Sequence, residues 1–264
     1  MDSKKWTKKY LVIIWLITLI VVVAAIWGHV VSWNGFRWLS NGGWPAGKNV
    51  ELKTYDFTNE NLTDITIDMN DADINIKYGD KLSVDASFPE KYEPKVELKG
   101  GKLTIYQRDN IKHISDSDGF NIDIMIPSDT DLGNLKIDVA AGDIDIKDVK
   151  ADNLDIDANA GDIDIKDIAA GKIDIDANAG DIDVSNVTGD KVDISANAGD
   201  INLMDSTVKS AEVNANAGDI DITGNYEKID CECDFGDVDI NAPNTERKNI
   251  NADCSFGSLN VKSK

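Results

Sequence analysis

Carboxylates at fixed positions after a recurring glycine are the clearest candidates for chemistry in this chain. The glycines are Gly142, Gly161, Gly180, Gly199, Gly218, Gly236 and Gly257. The residues that directly follow the first six are Asp143, Asp162, Asp181, Asp200, Asp219 and Asp237. A second set, two residues later, comprises Asp145, Asp164, Asp183, Asn202, Asp221 and Asp239. Because Ca²⁺ accepts several carboxylate and carbonyl oxygens with flexible geometry, the first set is a candidate column of weak divalent-cation sites.

A solvated acidic face is the alternative to a cation site. Carboxylates stacked about 5 Å apart repel each other by roughly 1 kcal/mol per pair in water. Salt, protonation at a raised pKa, or a bridging cation could each offset that repulsion. The glycine-rich calcium nonapeptide and the EF-hand spacing are both absent from the sequence. We therefore favour a simply solvated acidic face and keep cation or basic-partner binding as the other interpretation of the columns.

Three cysteines near the end of the chain offer redox chemistry. Cys233 and Cys254 each precede their glycine by three residues, while Cys231 takes a core position of the isoleucine type. A Cys233–Cys254 disulfide is within reach in an oxidising exterior, and inert buried thiols are the alternative. A metal site is disfavoured, because the two histidines, His29 and His113, do not belong to this cluster.

The residues that an enzyme would need are not arranged as a known motif. A serine triad would have to use His113, and no motif marks a nucleophilic serine or a phosphate-binding glycine loop. Carboxylate pairs are so abundant that no single pair is informative. A polyanionic substrate would be repelled by a chain with 48 Asp and Glu against 27 Lys and Arg. We therefore predict a non-enzymatic protein with no catalytic residues and no cofactor other than Ca²⁺.

The repeat that carries these carboxylates predicts the fold. The first four intervals between the aligned glycines are 19 residues, followed by 18 and 21, and a fixed period near 20 indicates a solenoid. Within one unit, Ile173, Ile175, Ala177 and Ala179 alternate with polar residues, which indicates strands with one apolar face. We predict an all-β, single-stranded parallel β-helix with coils of about 19 residues. Ala and Gly at the corner allow a tight turn.

A column of asparagines precedes the glycines by two residues. Its members are Asn159, Asn178, Asn197 and Asn216. Asparagine tolerates the left-handed backbone conformation and forms amide ladders when it is stacked. We expect this column to have a structural role at a turn.

An apolar segment near the start predicts a membrane anchor. Residues 10–33 contain His29 as their only ionisable side chain other than Tyr10, and about 20 apolar residues suffice to span a bilayer as a helix. Lys4, Lys5, Lys8 and Lys9 precede the segment, so the positive-inside rule places the N-terminus in the cytoplasm. A cleaved signal peptide is the alternative, and in either case the remainder of the chain is exported.

These patterns divide the chain into five parts. We predict a short cytoplasmic segment at 1–9, a transmembrane helix at 10–33 and a juxtamembrane linker at 34–49. Residues 50–133 are expected to form irregular N-terminal coils and a cap, and residues 134–264 the regular repeats. The formal net charge of −21 excludes nucleic acid as an expected partner, because nucleic acid is bound through basic patches.

The repeated turns also carry a resemblance. The segment "NIDIMIPSDTDLGNLKIDVAAGDIDIKDV" and the Gly-Asp-Ile turns after it resemble the bacterial "putative adhesin" β-strand-repeat proteins, which include LiaG-like and toast-rack-type solenoid domains of the cell envelope. The likeness covers about residues 61–261. It implies a membrane-tethered β-helix linked to envelope stress or transport, and it implies no catalytic residues.

Together these observations predict a single-pass protein of the bacterial cell membrane with an extracytoplasmic β-solenoid. The first functional hypothesis is a non-enzymatic scaffold or sensor that contacts another envelope or membrane protein or a cationic ligand. The alternative is an adhesin-like or cation-binding module at the cell wall.

Overall fold

The structure is a computed structural model that describes residues 50–89, 92–107 and 120–264. These residues fold as an all-β parallel solenoid of about seven turns, which confirms the predicted architecture. These ranges contain no helix that is long and apolar enough to cross a membrane. The predicted cytoplasmic segment, transmembrane helix and linker, residues 1–49, lie outside the described residues.

Nineteen strands and one short 3-10 helix, Arg247–Asn249, make up the described part of the chain. The early strands are β1 Val50–Asp56, β2 Asp64–Met69, β3 Ala72–Gly79, β4 Ser83–Pro89, β5 Lys95–Lys99, β6 Lys102–Tyr106 and β7 Phe120–Pro127. The regular strands are β8 Leu132–Val139, β9 Ile144–Lys147, β10 Lys150–Ala158, β11 Ile163–Lys166, β12 Ala169–Ala177, β13 Ile182–Ser185, β14 Thr188–Ala196, β15 Ile201–Ala217, β16 Ile220–Phe235, β17 Val238–Ala242, β18 Ile250–Phe256 and β19 Leu259–Ser263.

Each regular coil contributes one strand to each of two faces. On face 1, strands β2, β8, β10, β12 and β14 pair in parallel, followed by the second halves of β15 and β16 and then by β18. On face 2, strands β3, β9, β11 and β13 pair in parallel, followed by the first halves of β15 and β16 and then by β17 and β19. Because the pairing is in register, equivalent residues of successive coils form straight columns.

The N-terminal end departs from this pattern. Strands β1 and β4, β4 and β7, and β5 and β6 pair antiparallel. The coil formed by β2 and β3 lies between the β6–β7 coil on one side and the β8–β9 coil on the other. The order of the coils in space therefore differs from their order along the chain. The antiparallel strands at this end close the solenoid with a different hydrogen-bond pattern.

The inward columns form one continuous apolar core. Ile173, Ile175 and Ile182 have no exposed surface, and Ala177 is buried. Burying one such isoleucine contributes about 1.5–3 kcal/mol relative to leaving it exposed. The alternation predicted for this unit ends at Ala177, because Ala179 is exposed. The prediction that Ala179 belongs to the inward set is thus wrong: strand β12 ends at Ala177, and the chain is already turning at Ala179.

The two corners of each coil use different residues. At the first corner, Gly180 has φ +130°, and a Cβ placed there would lie 1.9 Å from the carbonyl oxygen of Gly161. This contact confirms that the corner requires glycine. At the second corner, four residues adopt the left-handed conformation, namely Asp148, Asp167, Asn186 and Asp205. The asparagine column of the first corner does not have positive φ, so its predicted tolerance of left-handed backbone is not the reason for its presence.

Candidate functional site

The outward side chains of face 1 form columns of charged residues along the regular coils. We define the acidic face as the outward residues of β8, β10, β12 and β14. Its middle column contains Asp155, Asp174 and Asp193. Each of these carboxylates forms an ion pair with a lysine: Lys136 with Asp155 at 2.8 Å, Lys172 with Asp174, and Lys191 with Asp193 at 2.8 Å. This column is therefore largely neutralised.

The adjacent column of the acidic face is not neutralised in this way. Asp138, Asp157 and Asp176 follow one another in register, and the ion pairs found within the described ranges involve none of them. Burial raises the pKa of Asp176, and the nearby charges of Asp174 and Asp157 raise it further. Burial likewise raises the pKa of Asp138, with Asp157 and Asp68 adding to the effect. Lys136 lowers the pKa of Asp138 but forms its ion pair with Asp155, so no ion pair among the described residues neutralises this column.

A groove runs alongside this column at the first corner. It has a volume of about 390 Å³ and is lined by Asp157, Asp176, Ala177, Asn178, Ser195, Ala196, Asn197, Asn214 and Asn216. The asparagine column forms one wall. Asn178 donates to Asn159, Asn197 to Asn178, and Asn216 to Asn197, each at 2.6 Å, which confirms the predicted amide ladder. The groove thus presents carboxylates beside a row of rigid amides.

On face 2, the column directly after the glycines has a structural role that the sequence did not reveal. Asp143 accepts a hydrogen bond from the backbone N–H of Asp162 at 2.9 Å, and Asp162 accepts one from that of Asp181 at 2.9 Å. The same contact continues through Asp200, Asp219 and Asp237 to Ser258. The bond from Ser258 holds the pKa of Asp237 below its usual range. Backbone hydrogen bonding therefore offsets the repulsion expected in this column.

In the second column of face 2, hydrogen bonds offset the repulsion between the stacked carboxylates only in part. Asn202 donates to Asp183 at 2.7 Å, and Asn260 donates to Asp239 at 2.9 Å. Burial raises the pKa of Asp164, Lys147 lowers it, and Asp145 and Asp183 raise it. Burial also raises the pKa of Asp221, and Asp239 adds to this effect. Asparagine interrupts the column at Asn202 and so reduces the charge density there.

The Ca²⁺ prediction for Asp143, Asp162, Asp181, Asp200, Asp219 and Asp237 stays a prediction. Over the residues that the structure describes, no three His, Cys, Asp or Glu side chains are grouped closely enough to hold a metal ion. In each of these aspartates one carboxylate oxygen accepts a backbone N–H. The second oxygen of each carboxylate does not take part in this backbone hydrogen bond and stays available to a cation.

The cysteines occupy the predicted positions. Cys233 and Cys254 are in-register neighbours on β16 and β18, and Cys231 is buried in the core. All three are thiols in this structure. His113, the histidine that a catalytic triad would need, lies in the segment 108–119 outside the described residues.

An aromatic pair in the last two coils, Phe235 and Phe256, is a second feature that was not predicted from the sequence. The residue before the glycine is alanine in the earlier coils and becomes Phe235 and Phe256 in the last two. Their rings stack with centroids 4.9 Å apart, and the two side chains are 58% and 67% exposed. The change from alanine to phenylalanine at a corner position was the available signal. Stacked exposed aromatic rings of this kind offer an apolar contact surface.

Comparisons with known proteins agree with this geometry. The family model described as Toastrack DUF4097 matches residues 62–264. A crystal structure of a "putative adhesin" from Bacteroides fragilis is similar with a TM-score of 0.55 at 15% identity, over 84% of this chain and 100% of the other. A "putative lipid binding protein" from Parabacteroides distasonis is similar with a TM-score of 0.51 at 19% identity, over 82% and 98%. At these identities the likeness shows the fold alone. No protein with a curated description matches the chain.

Proposed function

The chain belongs to the Toastrack DUF4097 family, and from this premise we propose that it is a non-enzymatic, membrane-anchored β-solenoid that acts outside the cytoplasm as a scaffold or sensor in the bacterial cell envelope. Its role would lie in envelope stress or beside a transporter. Its partner would be another envelope or membrane protein, or a cationic ligand, bound at the acidic face.

The observation that carries this proposal is the un-neutralised column Asp138, Asp157 and Asp176. Three carboxylates lie in register on a rigid sheet, while the next column is paired with lysines. Because none of these carboxylates forms an ion pair among the described residues, the column favours a positively charged group supplied by a partner. Because the amide ladder fixes the wall of the groove, little side-chain entropy would be lost when such a partner binds.

The anchor in this proposal rests on the sequence. Residues 10–33 form an apolar run preceded by four lysines, which supports a single-pass segment with a cytoplasmic N-terminus.

The test is an affinity purification of the full-length protein in mild detergent, read by mass spectrometry. There are two controls. One is the fragment of residues 50–264 alone, called unit 50–264, and the other is a full-length variant with Asp138→Asn, Asp157→Asn and Asp176→Asn. We expect an integral membrane protein to copurify with the full-length chain and to be lost from the triple variant. If the triple variant retains the same partner, the acidic face is not the contact. If nothing is enriched over unit 50–264, the scaffold proposal fails.

A second candidate is an adhesin-like or cation-binding module at the cell wall. The similar solved structures named "putative adhesin" favour it, as do the carboxylate columns of face 2. Salt-sensitive binding of unit 50–264 to purified cell walls would support this function. Equilibrium dialysis with Ca²⁺, compared between the wild type and an Asp162→Asn, Asp181→Asn double variant, would test the cation column. Equal Ca²⁺ uptake by both proteins would contradict it.

A further inference from the structure

Two cysteines in the last two coils are placed as direct neighbours. Cys233 on β16 and Cys254 on β18 are paired residues of adjacent parallel strands. Neighbouring strands lie about 4.8 Å apart, which is inside the Cα separation of about 4.4–6.8 Å that disulfides span. Each thiol donates to the carbonyl oxygen of a glycine in the preceding coil, Cys233 to Gly218 at 3.5 Å and Cys254 to Gly236 at 3.1 Å. The two sulfurs therefore point toward the same region of the core.

The position of Cys254 makes it accessible. Cys233 has no exposed surface, whereas Cys254 is partly exposed. Strand β18 pairs with β16 on one side, and among the described strands none pairs with its other edge. Closing a disulfide would therefore require β18 to adjust against a single described strand. Because the Cys254 side chain is partly exposed, an oxidant can reach its thiol.

We propose that Cys233 and Cys254 form a reversible disulfide that links the last two coils, with a small-molecule disulfide of the glutathione type as the oxidant. The bond would hold β18 against β16, which are the last two described strands of face 1. The stacked pair Phe235 and Phe256 lies two residues beyond these cysteines, so the same bond would fix the spacing of the exposed rings.

The chemistry is two successive thiol–disulfide exchanges. The Cys254 thiolate attacks glutathione disulfide, forms a mixed disulfide and releases one glutathione thiolate. Cys233 then loses its proton and attacks the Cys254 sulfur, which forms the protein disulfide and releases the second glutathione. The two protein thiols lose two electrons and two protons, and one glutathione disulfide is reduced to two glutathiones. Burial raises the pKa of Cys233 to about 11, so the second step should be slow at neutral pH.

Cys231 supplies an internal control. It faces Val213 on one side and Ala252 on the other, so no cysteine is stacked upon it. Burial raises its pKa to about 12, which makes it a poor nucleophile. The repeat also provides conservative replacements: alanine occupies the position of Cys233 in the preceding coils at Ala177, Ala196 and Ala215.

The test treats the full-length protein in detergent with glutathione disulfide, then with maleimide in denaturant, and measures the intact mass. We expect a loss of two hydrogens and one maleimide adduct, where the reduced protein takes three. Cys231→Val should keep the loss of two hydrogens, while Cys233→Ala and Cys254→Ala should abolish it. The melting temperature of the wild type should rise by about 5 °C on oxidation and return with reductant.

Three results would overturn the proposal. One is three maleimide adducts after prolonged oxidation, and another is a retained glutathione on Cys254 as the final product. The third is an unchanged hydrogen loss in Cys233→Ala. The experiment uses purified protein and a defined oxidant, so its outcome is independent of the membrane anchor and of the proposed partner.

Discussion

The carboxylate of Asp162 accepts the backbone N–H of Asp181 at 2.9 Å, and Asp181 makes the same contact with the backbone N–H of Asp200. Each aspartate of this column thus binds the backbone of the next coil. The repetition of Gly-Asp along the chain therefore reflects a hydrogen-bond requirement of stacking, in addition to surface charge.

Replacing one member of this column tests the hydrogen bond separately from the charge. Asp181→Ala should lower the free energy of unfolding by about 1 kcal/mol, because the Asp200 N–H loses its acceptor within the protein. Asp181→Asn should retain most of the stability, since an amide oxygen can accept the same bond. Urea denaturation of unit 50–264 measures both. Equal losses in the two variants would indicate that charge is the main contribution.

The first corner should not tolerate a side chain. In Gly180→Ala, the new Cβ would lie 1.9 Å from the Gly161 carbonyl oxygen, so we expect a loss of about 3 kcal/mol or more. The matched control is Gly100→Ala, which also has positive φ but has no atom within 4 Å of the new Cβ. The control should cost about 1–2 kcal/mol. Similar losses in both variants would mean that backbone conformation, and not the contact between coils, sets the requirement.

A residue in the middle of the amide ladder should contribute to the stability of the fold. Asn197 donates to Asn178 and accepts from Asn216, both at 2.6 Å. Asn197→Ala removes both bonds and should cost about 1–2 kcal/mol. Asn241→Ala is the control, because Asn241 is outward and exposed with no side-chain hydrogen bond among the described residues. Chemical denaturation should show no more than a small change for this control, and an equal loss would contradict a specific role for the ladder.

Removing the charge of one carboxylate of the acidic face should change the thermal stability by an amount that depends on pH. The pKa of Asp176 is raised by burial and by Asp174 and Asp157, so its charged form destabilises the fold above that pKa. Below pH 3.8, the pKa of this carboxyl in the unfolded chain, Asp176 is protonated in both the folded and the unfolded state, and the destabilisation is absent. Asp176→Asn should therefore raise the melting temperature at pH 7 by about 1–2 °C, and the gain should shrink as the pH falls toward 4.

Asp174→Asn is the control for this titration. Asp174 is paired with Lys172, so its neutralisation removes an attraction as well as a repulsion. Differential scanning calorimetry across the pH range should show no gain for this variant at pH 7. A constant gain for Asp176→Asn at all pH values would contradict the titration argument.

A buried serine should contribute to stability at the register shift between β15 and β16, where the repeat shortens from 19 to 18 residues. Ser206 is fully buried, accepts the backbone N–H of Val187 at 3.2 Å and donates to the Met204 carbonyl at 2.9 Å. Ser206→Ala leaves that N–H without an acceptor and should cost about 1–3 kcal/mol. Ser210→Ala on the outer surface of the same strand should change little. Equal effects in thermal denaturation would refute the hydrogen-bond argument.

The sequence alone determined the repeat, the strand alternation, the apolar core and the stacking of Cys233 upon Cys254. These features follow from a fixed period, because in-register stacking places equivalent residues in columns whatever their chemistry. The need for glycine at the first corner was also predictable. The end of the inward alternation at Ala177 was not, because the sequence pattern continues through Ala179 while the backbone turns.

Only the tertiary structure decided which columns are compensated. The lysines that neutralise Asp155 and Asp174 reach them across coils or along the strand. Neither Asp157 nor Asp176 forms an ion pair within the part of the chain that the structure describes. Likewise, the antiparallel strands of the cap depend on contacts distant in the chain, as in the pairing of β1 with β4. Periodicity specifies local strands and columns, but long-range pairing and side-chain reach depend on the packed three-dimensional arrangement.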